Sequence, residues 1–136
     1  MASSFSDKYY NTSKLLKHLD RLYEWDKKGY TFPIQAYFEI TNVCNHRCPN
    51  CIGFRHNKNL SMPYEDGRRI LSELKEMNLK SVLFSGGGDP TCHKDLEGML
   101  DYAKNQDLEV GLITNGQNLS SSRINCIINS CSWVRV

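Results

Sequence analysis

The sequence has no long hydrophobic run and no marked excess of one charge. No apolar stretch approaches the roughly 18 residues of a membrane-spanning helix, and the first residues are polar, so neither membrane insertion nor export is indicated. The 17 basic and 15 acidic residues give a net charge of +2 and form no basic stripe, which excludes the pattern typical of nucleic-acid binders. We therefore expect a cytoplasmic protein.

The length and the cysteine content of the chain further limit the kind of protein it can be. A chain of 136 residues with 40% hydrophobic content can build one core. Disulfides are rare in the cytoplasm, so another role is expected for the six cysteines. Cys44, Cys48 and Cys51 lie within one short segment, which indicates a metal site or catalysis. The others have no such spacing and are expected to be buried as small hydrophobic side chains. They are Cys92, Cys126 and Cys131.

Hydrophobic periodicity predicts four strands that alternate with three helices. Residues 34–40 alternate between apolar and polar side chains, which is the period of a strand. Short apolar runs predict further strands at 82–84, 110–113 and 133–136, and an amphipathic helix at 13–28 precedes the first strand. Apolar residues at helical spacing predict the helices between the strands. They are Ile70, Leu71, Leu74 and Met77, then Leu96, Met99, Leu100 and Ala103, then Ile124, Ile127 and Ile128.

This alternation predicts an α/β fold with parallel strands. Short connections favour right-handed crossovers, and in such sheets the functional loops leave the carboxyl ends of the strands. The three segments of unusual composition, 44–51, 85–90 and 114–116, each follow a predicted strand. We therefore expect them to lie together at one edge of the sheet.

The cysteine segment admits three interpretations. Three thiolates on one tight loop suit an iron-sulfur cluster, and they leave one iron of a four-iron cluster open for another ligand. A structural zinc ion would need a fourth ligand, for which the candidates are His46, Cys92 and His93. Uncoordinated thiols are the third interpretation. The type and number of the ligands favour the cluster.

Two turns at the other strand ends are weaker signals. Gly86, Gly87 and Gly88 follow the second strand, and glycines there let the backbone approach a ligand closely. Their spacing fits neither a dinucleotide-binding fingerprint nor a P-loop, so a tight turn without a ligand stays open. Thr114 and Asn115 precede a glycine at the end of the third strand, where Asn-Gly also forms an ordinary turn.

The cysteine spacing is that of a known family. Cys-x-x-x-Cys-x-x-Cys directly after a strand, preceded here by Glu-Ile-Thr-Asn-Val at 39–43, resembles the radical S-adenosylmethionine (SAM) superfamily. The resemblance implies that Cys44, Cys48 and Cys51 ligate a [4Fe-4S] cluster and that the amino and carboxylate groups of SAM chelate its unique iron. It also implies oxidoreductase or maturase chemistry, in which SAM cleavage yields a 5'-deoxyadenosyl radical that abstracts hydrogen from a substrate.

The same resemblance implies SAM contacts for the other motifs. Asn50, where the family usually has an aromatic residue, is expected to meet adenine through its backbone. The three glycines are expected to lie along the methionine part of SAM, with Asp89 in place of the usual glutamate at its amino group. Thr114 and Asn115 are expected near the same ligand, and His93 is expected to be structural. No catalytic residue is identified.

The resemblance covers roughly residues 34–136 and implies a partial (β/α) barrel that is truncated after its fourth strand. We expect a lead-in helix at 1–30 and the N-terminal part of a radical SAM core at 31–136. The substrate pocket would then need a further C-terminal region or a partner subunit, and an electron donor such as a flavodoxin or ferredoxin. Two alternatives stay open: a cluster-binding remnant without turnover, and a zinc-stabilised interaction module.

Overall fold

The computed structural model describes residues 12–51 and 60–136 of the chain. Its contacts divide the chain into two compact units, Met1–Ile34 and Gln35–Val136. Among the described residues, no helix has the length and the apolar character that crossing a membrane requires.

The described residues of the first unit contain two consecutive helical segments. A 3-10 helix, Thr12–His18, leads directly into helix α1, Leu19–Lys28. Helix α1 ends where Gly29 adopts a left-handed conformation with a φ of 75°, a common way to terminate a helix. The helix predicted at 13–28 is therefore present, and its first turns are 3-10, a form frequent at helix N-termini.

The second unit is a four-stranded parallel sheet with strand order β1-β2-β3-β4. Among the described residues, one α-helix lies between each strand and the next. In chain order the elements are β1 (Gln35–Phe38), α2 (Tyr64–Glu76), β2 (Ser81–Phe84), α3 (Leu96–Asn105), β3 (Glu109–Ile113), α4 (Ser121–Ser130) and β4 (Trp133–Arg135). The predicted α/β fold is confirmed, because every neighbouring pair of strands is parallel.

The core lies between one face of the sheet and the helices. Phe38 and Phe84 are neighbours in the register of β1 and β2, and their rings meet edge to face with centroids 5.4 Å apart. Alternation decides which side chains of β1 take part, since Phe38 is buried whereas Tyr37 is 71% exposed. Helices α2 and α3 cover this face with fully buried side chains: Leu71, Leu96, Met99 and Leu100.

Some predicted apolar positions lie outside the core. Met77 follows the last residue of α2 and is 42% exposed, so it does not belong to the apolar face of that helix. In α4 only Ile127 is in the core, whereas Ile124 is exposed and Ile128 is 69% exposed. A helix packed through one narrow stripe buries about one position per turn, and periodicity alone does not say which.

Candidate functional site

The glycine loop after β2 pairs with the chain segment that leads into the cysteines. Gly88 donates its N–H to the Thr41 carbonyl at 3.1 Å, and Asp89 donates its N–H to the Val43 carbonyl at 3.0 Å. A Cβ atom at Gly88 would lie 2.6 Å from the carbonyl carbon of Asn42. Only glycine therefore lets these two segments approach so closely.

The three cysteines of the 44–51 loop differ in their exposure. Cys44 is half-buried, and Cys48 and Cys51 are exposed. A turn closes between the last two, because the Cys51 N–H donates to the Cys48 carbonyl at 3.1 Å. Within residues 12–51 and 60–136, no three His, Cys, Asp or Glu side chains form a group placed to hold a metal ion. The assignment of these cysteines as ligands therefore stays a prediction.

Asn115, in the turn after β3, forms hydrogen bonds with both the glycine loop and the cysteine loop. Its backbone N–H donates to Asp89 Oδ2 at 2.6 Å. Its side-chain Nδ2 donates to Asn45 Oδ1 at 2.7 Å and to Cys44 Sγ at 3.9 Å. The structure thus brings the cysteine loop, the glycine loop and the turn after β3 together at the carboxyl edge of the sheet.

Asp89 lies inside this junction. Its carboxylate is 5% exposed and accepts hydrogen bonds from the Thr91 N–H at 2.8 Å and from Thr114 Oγ1 at 2.9 Å and 3.0 Å. It also accepts from the Thr91 hydroxyl, so it caps the short 3-10 turn Pro90–Cys92. The predicted contact of Asp89 with SAM is untested by this arrangement, which shows the carboxylate already surrounded by donors from its own chain.

Glu39 is the site residue that sequence reasoning did not single out. It is exposed just past the end of β1, and its side chain lies against the glycine loop. A Cβ atom at Gly87 would lie 3.6 Å from Glu39 Oε2, and one at Gly86 would overlap the Glu39 side chain. Gly86 also has a φ of 131°, a conformation that side chains oppose. The alternation of β1 was the available signal, because it places Glu39 opposite the core face.

Of the other predicted residues, Asn50 lies in the cysteine loop and His93 is buried within the fold. Asn50 is exposed in the turn before Cys51. His93 is 1% exposed, and both of its ring nitrogens are engaged, because Nδ1 accepts from the Asp95 N–H at 3.0 Å and Nε2 pairs with the Met62 carbonyl at 2.8 Å. These contacts agree with a structural histidine, and they leave no free nitrogen for zinc.

The remaining three cysteines are half-buried, whereas the sequence predicted them to be buried as small hydrophobic side chains. Burial raises the pKa of the thiols of Cys92 and Cys126. It raises the pKa of Cys131, which packs against the core, to about 12. A thiol with so high a pKa is a poor nucleophile and a poor metal ligand at neutral pH.

The family model of the Radical SAM superfamily matches residues 38–127, which are most of the chain and include all three loops. The chain belongs to the radical SAM superfamily.

Curated relatives of this radical SAM chain include enzymes of different kinds. It is 33% identical over 99 residues to the PqqA peptide cyclase of Bradyrhizobium diazoefficiens, covering 70% of this chain and 25% of that protein. It is 33% identical over 103 residues to the mycofactocin maturase MftC of Mycolicibacterium smegmatis, covering 74% and 26%. It is 29% identical over 86 residues to an S-adenosylmethionine-dependent nucleotide dehydratase of Selenomonas ruminantium, covering 62% and 31%. The chain thus spans between 25% and 31% of the length of these relatives.

Solved structures resemble the fold of this radical SAM chain. Streptococcus suis SuiB bound to S-adenosylmethionine aligns with a TM-score of 0.66 at 22% identity, over 88% of this chain and 26% of SuiB. BtrN in complex with AdoMet and 2-DOIA aligns with a TM-score of 0.65 at 18% identity, over 77% of this chain and 45% of BtrN. At these identities the likeness concerns the fold alone, and it confirms the predicted partial barrel of the radical SAM type.

The chemistry of the donor set fits the iron-sulfur cluster that the family implies. Three thiols share one loop, which is the ligand type of such clusters. Cys44 Sγ accepts N–H hydrogen bonds from His46 at 3.4 Å and from Asn115 at 3.9 Å. Hydrogen bonds of this kind orient ligating sulfurs and tune the potential of a cluster. The loop therefore carries suitable ligands together with the polar groups that would support them.

Proposed function

We propose that this chain is the N-terminal part of a radical SAM enzyme core that holds a [4Fe-4S] cluster and binds SAM beside it. Cys44, Cys48 and Cys51 would hold the cluster. The observation that supports this most directly is the double role of Asn115, which bonds both Cys44 and Asp89 and so joins the cysteine loop to the glycine loop. When bound, the cluster would supply the electron that cleaves SAM to methionine and a 5'-deoxyadenosyl radical.

The residues of this chain would bind and orient SAM. Gly86, Gly87 and Gly88 carry no side chains, so the methionine part of SAM could lie along their backbone. Thr114 and Asn115 follow the end of the neighbouring strand β3, and Asn50 would meet adenine through its backbone. The network around Asp89 would hold the glycine loop and the turn after β3 at a constant separation, which orients both for one ligand.

The proposal covers cofactor binding and SAM cleavage and names no substrate. The relatives are named for a peptide, for a nucleotide and for mycofactocin, and this chain spans at most 31% of their length. A flavodoxin or ferredoxin is the electron donor that we propose, since SAM cleavage consumes one electron. A further C-terminal region or a partner subunit would complete the substrate pocket, and the cytoplasm is the compartment we propose.

Anaerobic reconstitution with iron and sulfide tests the cluster. We expect about four irons and four acid-labile sulfides per chain, the content of one [4Fe-4S] cluster. Replacement of Cys44, Cys48 or Cys51 by Ala should abolish this content. The matched control is Cys126→Ala, which removes a half-buried thiol on α4 and should leave iron and sulfide unchanged.

Two further measurements separate the alternatives. Stoichiometric zinc without acid-labile sulfide would contradict the cluster and support the zinc-stabilised interaction module. Formation of 5'-deoxyadenosine under dithionite distinguishes the enzyme core from a cluster-binding remnant. An isolated chain is expected to produce it slowly and without coupling to a substrate, because a site open to water favours side reactions. Complete absence of 5'-deoxyadenosine from the cluster-loaded chain would support the remnant.

A further inference from the structure

The carboxylate of Asp89 has no free position for a ligand. A carboxylate offers about four lone-pair positions. Four donors of the chain occupy them: the N–H and the hydroxyl of Thr91 at Oδ1, the Asn115 N–H at Oδ2 at 2.6 Å, and the hydroxyl of Thr114, whose one proton is shared between the two oxygens. An amino group could reach this carboxylate only by displacing donors of the chain itself, and Asp89 is only 5% exposed.

Glu39 presents the opposite situation. Its side chain is exposed, lies against Gly86 and Gly87, and makes no hydrogen bond or ion pair with the part of the chain that the structure describes. It also lines an open pocket of about 360 Å³. Beside Gly86 and Gly87 the glycine loop therefore has a free carboxylate, on a side chain one methylene longer than that of aspartate.

The two glycines that contact Glu39 leave room for its side chain. A side chain at Gly86 would overlap Glu39, and Gly86 has a φ of 131°, a conformation that favours glycine. The exposed carboxylate thus lies beside the backbone along which the methionine part of SAM is proposed to bind. A charged acceptor placed there would form a charge-assisted hydrogen bond with an N–H of that ligand.

We propose that Glu39, at the end of β1, accepts the hydrogen bond from the amino group of SAM, and that Asp89 is a positioning residue that ties the glycine loop to Thr114 and Asn115. This inference rests on the proposed SAM site. The contact with the amino group of SAM is thereby assigned to Glu39, which is exposed and unbonded. It is not assigned to Asp89, which is buried and fully bonded. Asp89 then acts on the ligand only through the two loops that it holds together.

A pair of ligands that differ in one group tests this division. Calorimetry on the cluster-reconstituted chain would measure the binding of S-adenosylhomocysteine and of its deamino analogue, in which hydrogen replaces the amino group. The variants are Glu39→Gln and Asp89→Asn, with Thr91→Val as a milder disturbance of the Asp89 network. Glu109→Gln is the matched control, because Glu109 is an exposed acid at the opposite edge of the sheet.

The two acids should give different signatures. Glu39→Gln keeps an oxygen that accepts a hydrogen bond but removes its charge, so it should weaken the binding of S-adenosylhomocysteine by about tenfold and change that of the deamino analogue by less than about twofold. Asp89→Asn should weaken both ligands by the same factor, since it disturbs both loops. Thr91→Val should do the same to a smaller extent, and Glu109→Gln should affect neither ligand.

Two results would overturn the inference. One is a selective loss of S-adenosylhomocysteine in Asp89→Asn, which would place the amino group at Asp89. The other is an equal effect of Glu39→Gln on both ligands, or no effect on either. The failure of the proposed function has a different signature, because the unmodified chain would then bind neither ligand. If Asp89→Asn does not fold, Thr91→Val tests the positioning role of Asp89 in its place. An equal loss of affinity for both ligands is expected of that variant.

Discussion

Different interactions stabilise two regions of the second unit. One region is the apolar layer between the sheet and the helices, and the other is the polar carboxyl edge of the same sheet. Phe84 and Leu71 are fully buried among other hydrophobic side chains, and their contribution depends mainly on the area removed from water. At the edge, the Asp89 carboxylate is held by donors from Thr91, Thr114 and Asn115. Hydrogen bonds are directional, and a buried group that loses its partner is costly. The core should therefore respond to changes in volume, and the edge to the loss of single contacts.

The largest effect is expected from a cavity in the core. Phe84→Ala removes a fully buried ring that meets Phe38 edge to face, and should lower the free energy of unfolding by about 3–5 kcal/mol. Urea denaturation measures this difference. Tyr37→Ala is the control from the other face of β1, where the side chain is 71% exposed, and should stay within about 0.5 kcal/mol. Equal losses in both variants would contradict the placement of the core on one face.

The next effect tests steric fit at the edge. Gly88→Ala places a Cβ atom 2.6 Å from the carbonyl carbon of Asn42, so the two backbone segments must separate. Overpacking of this kind costs about 1–3 kcal/mol, and it should also reduce the cluster content, because the displaced segment leads into Cys44. Gly87→Ala is the matched variant, since its Cβ would come no closer than 3.5 Å to a neighbour. A loss at Gly87 as large as that at Gly88 would refute this account of the close approach.

A smaller effect on stability is expected from the ion pair between Arg123 and Glu97, which lies next to the carboxyl edge. Arg123 donates to Glu97 at 2.7 Å and to the Thr91 carbonyl at 2.7 Å, so it connects α3 and α4 to the turn that Asp89 caps. Burial raises the pKa of Glu97, but the hydrogen bond and the charge of Arg123 together outweigh it and hold that pKa below its ordinary value of 4.5. Stabilisation by this pair is then present above pH 4.5 and is lost as the pH falls through the lowered pKa.

Denaturation as a function of pH measures that contribution. Glu97→Gln should lower the free energy of unfolding by about 1 kcal/mol at pH 7, and the difference from the parent chain should shrink towards low pH. Glu73→Gln, which breaks the exposed pair with Arg69 on α2, should change it by less than about 0.5 kcal/mol. If the difference in free energy of unfolding between Glu97→Gln and the parent chain grows as the pH falls, the predicted pH dependence is wrong.

The last prediction concerns the reactivity of cysteine thiols, which can be measured without changing the fold. Because burial raises the pKa of Cys131 to about 12, its alkylation at pH 8 should be at least about a hundredfold slower than that of an ordinary thiol. Cys48 is exposed and should react at an ordinary rate in the cluster-free chain. Mass spectrometry of peptides after timed treatment with iodoacetamide gives both rates. Equal rates in the folded chain would contradict the packing of Cys131 against the core.

Much of the fold could be predicted because its signals are local. The alternation around Phe38 and the apolar runs near Phe84 and Leu112 predicted strands that the structure confirms, since a half-buried strand must alternate and a buried one must be apolar. Met77 and Ile128 were predicted on apolar helix faces and are exposed. The position of each helix relative to the sheet decides which of its apolar residues are buried, and helical spacing does not contain that information.

The sequence by itself determined the three motif loops, their order after parallel strands and the thiol chemistry of Cys44, Cys48 and Cys51. Tertiary structure alone decided how the two acids beside the glycines are placed and bonded. Asp89 is turned inward because donors from Thr114 and Asn115, at the end of another strand, surround its carboxylate. Glu39 stays free because no donor of the described chain reaches it. A carboxylate is buried only where hydrogen bonds replace the water that it loses, and those partners are distant in sequence.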